Sequence, residues 1–281
     1  MRKIGLFVMI IAAVAMAAGN AISVPTEPLI VRAVGVTPEP ADFDTDISVF
    51  IAMQREGNDG FGDTMTLYQN ALTAMGVTDI TTGEAPESGD TPGLDSFTGD
   101  LVIYTTSDDW WGPGPTAGDK ASLMSFMDAG GYVLFCGQDY LWATSGPDGD
   151  FDPNYLGIAG ASQDITSDTD NEEVTGSAGG FWDGMVVPIS SDIFPSNGFY
   201  IDQITPGANS TALGELSSMS NQVCAIHTID DGGIWESVFC AFDIVAADDT
   251  NEQAMLDAIF ASWFPDDSSV IETSWGAIKV Q

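Results

Sequence analysis

The side chains able to do covalent chemistry are few: three cysteines, Cys136, Cys224 and Cys240, and a single histidine, His227. A cysteine nucleophile needs a nearby base or a positive field to hold it as thiolate. Cys136 with His227 is therefore the candidate catalytic dyad, and it would serve a hydrolase acting on peptide or glycan. The chain supplies little positive field, with 6 Lys+Arg against 42 Asp+Glu and a formal net charge of -36. Such a background keeps a thiol protonated, so Cys136 equally fits a core thiol at a strand end. Carboxylates are the second resource. Asp148, Asp150 and Asp152 alternate, as do Asp42, Asp44 and Asp46. Alternate acids can present oxygens to one hard cation, so calcium is the expected metal, with Asp148, Asp150 and Asp152 its ligands. Pro153 and Ile47 stand where an EF-hand loop has glycine. A carboxylate pair could also hydrolyse glycosidic bonds, although no spacing selects one. Aromatic side chains beside polar ones are the third resource. Asp108, Asp109, Trp110 and Trp111 form one group, and Gln138, Asp139, Tyr140 and Trp142 another. Both suit sugar or peptide binding.

These residues depend on the elements that carry them. Ile47–Met53 and Leu101–Tyr104 are compact apolar runs expected to be buried strands, and Tyr132–Cys136 is a third. Met65, Leu67, Tyr68, Ala71, Leu72 and Met75 recur at helical spacing up to Gly76. A second helix is expected over 117–129, ended by Gly130-Gly131, and Gln138–Thr144 begins another. Strand and helix alternate through 47–145, which predicts a mainly parallel sheet with helices on both faces. The two aromatic groups would then share the carboxyl edge, where open parallel sheets bind ligands. Residues 146–180 read as loop. Strands are expected near 184–189, 199–204, 222–229 and 235–243. The last two flank Asp230-Asp231-Gly232-Gly233 as a hairpin that sets Cys224 against Cys240, a candidate disulfide. A closing amphipathic helix spans 252–264.

The stretch from Asp100 through Leu101-Val102-Ile103-Tyr104 to Asp109 resembles the class I glutamine amidotransferase-like superfamily. So does Phe126-Met127-Asp128-Ala129-Gly130-Gly131 running into Tyr132–Cys136 and Gly137-Gln138-Asp139. Within it, the chain is most similar to exported bacterial members that lack catalytic residues. The resemblance covers 47–265, with its specific part in 100–142, and it implies a flavodoxin-like fold. Leu134 stands two before Cys136 where the enzymes carry glycine, and no His-Pro-Glu turn occurs. The resemblance thus implies a non-catalytic member.

Composition bounds the remaining choices. Hydrophobic residues make up 44% of the chain, enough for a core. The acidity repels nucleic acid and anionic lipid, and no basic patch, phosphate loop or zinc spacing is present. Arg2-Lys3, an apolar run of about 15 residues and a small-residue segment have the order of a secretory signal peptide, shorter than a membrane span of about 20. The expected organisation is a signal peptide at 1–21, an extended lead-in at 22–46, the α/β domain at 47–265 and a tail at 266–281. The expected protein is secreted or held at the cell surface. It is a binding or assembly module with a protein or glycan partner, self-association included, and no membrane span in the mature chain.

Overall fold

The computed structural model describes residues 43–54, 64–85, 89–106, 114–138, 140–144, 146–162, 171–190, 201–217, 221–247 and 249–266. The expected signal peptide, most of the lead-in and all but the first residue of the tail lie outside this set.

Eleven strands carry the fold. They are β1 Ser48–Gln54, β2 Asp79–Ala85, β3 Leu101–Thr105, β4 Tyr132–Cys136, β5 Ile158–Ser162, β6 Asn171–Gly176, β7 Val186–Ser190, β8 Gln203–Pro206, β9 Ser210–Leu216, β10 Gln222–Ile229 and β11 Glu236–Cys240. Nine form one sheet in the order β2-β1-β3-β4-β11-β10-β9-β6-β7, while β5 and β8 make a separate antiparallel ribbon. Four α-helices, α1 Thr64–Ala74, α2 Ala117–Asp128, α3 Tyr140–Ala143 and α4 Asp249–Trp263, accompany them, with short helical turns at Leu94–Ser96, Asp152–Leu156 and Ile244–Ala246.

This architecture corrects the expected fold class. The sheet is mixed: β2, β1, β3, β4 and β11 run parallel, and then β11, β10, β9, β6 and β7 pair antiparallel. The described chain is mostly β, with four helices, and is not a helix-flanked parallel sandwich of flavodoxin type. The reason lies in the second half of the sequence. There β6 and β7 are joined by residues 177–185 and β10 and β11 by residues 230–235, connections shorter than the crossover that parallel neighbours need. Residues 146–180, expected as loop, contribute β5 and β6 and a π-helical turn, Asp152–Leu156.

Local signals explain the element that leads into β4. Thr116 caps α2 by accepting a hydrogen bond from the Asp119 amide at 3.0 Å. Gly130, at φ +99°, ends it, with Gly130 N–H donating to Met127 O and Gly131 N–H to Phe126 O. Strand alternation then turns Tyr132, Leu134 and Cys136 to one face. Trp263 and Phe264 pack on Tyr132 there, and Tyr68 of α1 meets Cys136. Phe135 turns to the opposite face among Tyr104, Tyr140, Phe151 and Phe239.

Candidate functional site

Cys136 closes β4 and is fully buried. The Tyr68 hydroxyl lies 3.2 Å from its Sγ and donates to Asp243 Oδ1 at 2.5 Å, and Thr105 Oγ1 donates to Asp243 Oδ2 at 2.5 Å. Burial, followed by the neighbouring Asp243 and Cys136, pushes the Tyr68 phenol well above its ordinary range. Tyr68 is therefore a fixed donor and not a base.

His227 is elsewhere. It sits on β10 opposite Val238, whereas Cys136 pairs across the sheet with Cys240, so β11 stands between the two candidate catalytic residues. His227 Nε2 is 2.7 Å from Glu236 Oε2, which also accepts from Trp263 Nε1 at 2.9 Å, and the Phe181 ring lies 4.3 Å from the imidazole. The imidazole's partner is a carboxylate beneath α4, and the expected thiol–imidazole dyad does not assemble.

The expected Cys224–Cys240 bond is also corrected. All three thiols are free and buried. The hairpin sets Cys240 opposite Ala225, one residue past Cys224, and Cys224 falls at a bulge on the other side of β10, against β9. Cys224 Sγ instead meets Gly214 O at 3.5 Å, and burial pushes this thiol upward.

Of the two aromatic groups, Asp108, Asp109, Trp110, Trp111 and Asp139 lie outside the described residues, as does the side chain of Trp142. Gln138 is buried in the turn after β4. Tyr140 points inward, its hydroxyl donating to Asp152 Oδ1 at 2.5 Å. Of the acidic run 148–152, only Asp152 is committed internally, while Asp148 and Asp150 are exposed. Asp152 is buried, with Oδ2 accepting from the Asp148 amide at 2.7 Å, and Asp148 pairs with Lys120 at 3.0 Å. Among the described residues, no three Asp, Glu, His or Cys side chains converge as a metal site, so Asp148, Asp150 and Asp152 do not form the expected calcium cage.

The structure offers a different site. The π-helical turn is stapled to the antiparallel strands. Ser237 Oγ donates to Tyr155 O at 2.6 Å, Thr228 Oγ1 to Leu156 O at 3.0 Å and Ser210 Oγ to Gly157 O at 3.0 Å. This holds the Tyr155 ring against Trp235, with centroids 5.4 Å apart and planes 18° apart. The pair borders a cavity of about 480 Å³ lined also by Met124, Asp128, Asp150, Asn154 and Asp230. A second cavity of about 330 Å³ shares Asn154, Asp230 and Trp235 and adds Asp231 and Asn209. Tyr155 donates to Asp128 Oδ1 at 3.0 Å. Desolvation, then Asp128, Asp150 and Asp230, push its phenol upward, which is the electrostatic sign of carboxylates gathered round one ring. Sequence reasoning named Asp150 but missed Tyr155 and Trp235. The available signal was Trp235, two residues after the Asp230–Gly233 turn.

No family model and no curated protein matches the chain. Among solved structures, a cold-adapted beta-galactosidase from Rahnella sp. R3 matches with a TM-score of 0.51 and 18% identity, over 77% of this chain and 31% of its own. A beta-galactosidase from Bacillus circulans sp. alkalophilus matches with a TM-score of 0.50 and 14% identity, over 74% of this chain and 30% of its own. The chain spans less than a third of the length of either, and at these identities the likeness is one of fold. No described helix is long and apolar enough to cross a membrane.

Proposed function

We propose that this chain is an exported, non-catalytic binding module that takes a glycan in the groove between the π-helical turn and the β10–β11 hairpin. The carrying observation is the Tyr155–Trp235 stack bordered by Asp128, Asp150, Asp230 and Asn154. The half-buried Tyr155 ring, backed by the buried Trp235, is the aromatic surface for the apolar side of a sugar, and carboxylates and carboxamides accept its hydroxyl protons. Removal of Cys136 beneath Tyr68, two strands from His227, argues against thiol hydrolysis. Export is part of the proposal and rests on the leader-like order of residues 1–21. Kinship to exported amidotransferase-like chains is also part of it and rests on residues 100–142. In two beta-galactosidases a comparable fold is one portion of a longer chain, a setting that suits an accessory module.

Calorimetric titration of the full chain with neutral and amine-bearing oligosaccharides tests the reading. Binding should appear, weaken at least tenfold in Tyr155→Ala and Asp150→Asn, and survive in Cys136→Ala and His227→Gln. Absence of heat with every saccharide, or binding indifferent to Tyr155, would overturn it.

A further inference from the structure

The cysteine pairing that the hairpin denies to Cys224 is available elsewhere. Cys136 and Cys240 are register partners on the neighbouring parallel strands β4 and β11, and both are fully buried. Partners on adjacent strands lie about 4.8 Å apart at Cα, inside the span of about 4.4–6.8 Å that a disulfide bridges. Their side chains leave the sheet on the same face, since register partners share a face. Burial, and next the adjacent Cys136 side chain, raise the Cys240 thiol well above its ordinary range. Cys224, by contrast, is occupied with Gly214 O.

We propose that Cys136 and Cys240 form a disulfide when the chain folds in the presence of a small-molecule disulfide such as oxidised glutathione. The Cys136 thiolate attacks one sulfur of the external disulfide, and a mixed disulfide forms as one external thiolate leaves. The Cys240 thiolate then attacks Cys136 Sγ, the protein bond forms, and the second external thiolate leaves. The two protein thiol protons end on the two departing thiolates, so two protein thiols are oxidised and one external disulfide is reduced. The exchange belongs to folding, before Tyr68 covers Cys136. The bond would join the parallel half of the sheet to β11, the first strand of the antiparallel half, across a long loop, the case in which chain entropy favours a crosslink most.

The test is refolding of the full chain in a glutathione redox buffer and in excess dithiothreitol, followed by denaturation, alkylation and mass measurement. The oxidised sample should carry one alkyl group and the reduced sample three. Glutamyl-endopeptidase mapping should place the crosslink between Cys136 and Cys240, and the oxidised form should melt higher. Cys224→Ser should keep the link, and Cys240→Ser should lose it. Three alkylated cysteines after oxidative refolding, or a crosslink that includes Cys224, would overturn the assignment on the wild-type chain alone.

Discussion

Tyr68 is the residue on which the buried polar centre turns. Its hydroxyl reaches both Cys136 and the Asp243 carboxylate, and Asp243 is 2% exposed, too little for water to replace a lost donor. Tyr68→Phe deletes the hydroxyl and leaves the ring. A hydrogen bond to a buried charged group is worth about 1–3 kcal/mol. The urea midpoint should fall by that amount divided by an unchanged slope. An unmoved midpoint would mean that Asp243 is held without Tyr68. This centre was half legible in the sequence. The apolar run into Cys136-Gly137 placed the thiol at a strand end, but its hydrogen-bond partner lies 68 positions upstream and no local pattern links the two. The Cys224–Cys240 reading failed on a single residue. A hairpin centred one half-step further along exchanges Cys224 for Ala225 as the partner of Cys240.

Elements were legible where one physical signal dominated. Strands β1, β3 and β4 are unbroken apolar runs because they are buried on both faces, and α2 and α4 show helical periodicity with clear ends. Strands β5, β6 and β9 read IAGAS, NEEVTG and STALGEL, and their glycines and acids are residues that strands ordinarily disfavour. They are strands because tertiary pairing overrides propensity, and Gly176 at the end of β6 shows how. A Cβ there would fall 1.6 Å from the Trp182 carbonyl oxygen, so the backbone itself would have to move. Trp182 is buried and its Nε1 donates to Met255 O in α4, so the displacement would reach a second element. Gly176→Ala should therefore cost about 2–3 kcal/mol as an overpacking defect. Gly179→Ala, in the same turn at φ +82° with open space around it, should cost only the backbone strain of about 1 kcal/mol. Equal losses in the two variants, read from urea midpoints, would contradict the close approach at Gly176.

At the scale of the molecule the governing term is charge. Lys120 is the sole Lys or Arg among the described residues, and Asp148 already occupies it. The chain carries a formal net charge of -36 with few bases to offset it, and self-repulsion opposes compactness. Screening shortens the reach of that repulsion from about 30 Å at 0.01 M salt to about 3 Å at 1 M. Tm should climb steadily across that range, by about 2–4 °C for each kcal/mol of repulsion relieved in a chain of this size. The same experiment separates screening from a cation site. Asp152, the central candidate ligand, already has both oxygens engaged, one with the Tyr140 hydroxyl and the other with the Asp148 amide, and the other two acids of the run do not converge on it. Calcium and magnesium at equal ionic strength should then raise Tm equally, and a chelator at fixed ionic strength should leave it unmoved. A rise that saturates at micromolar calcium, is absent with magnesium and is reversed by chelator would instead require a set of carboxylates organised for that ion.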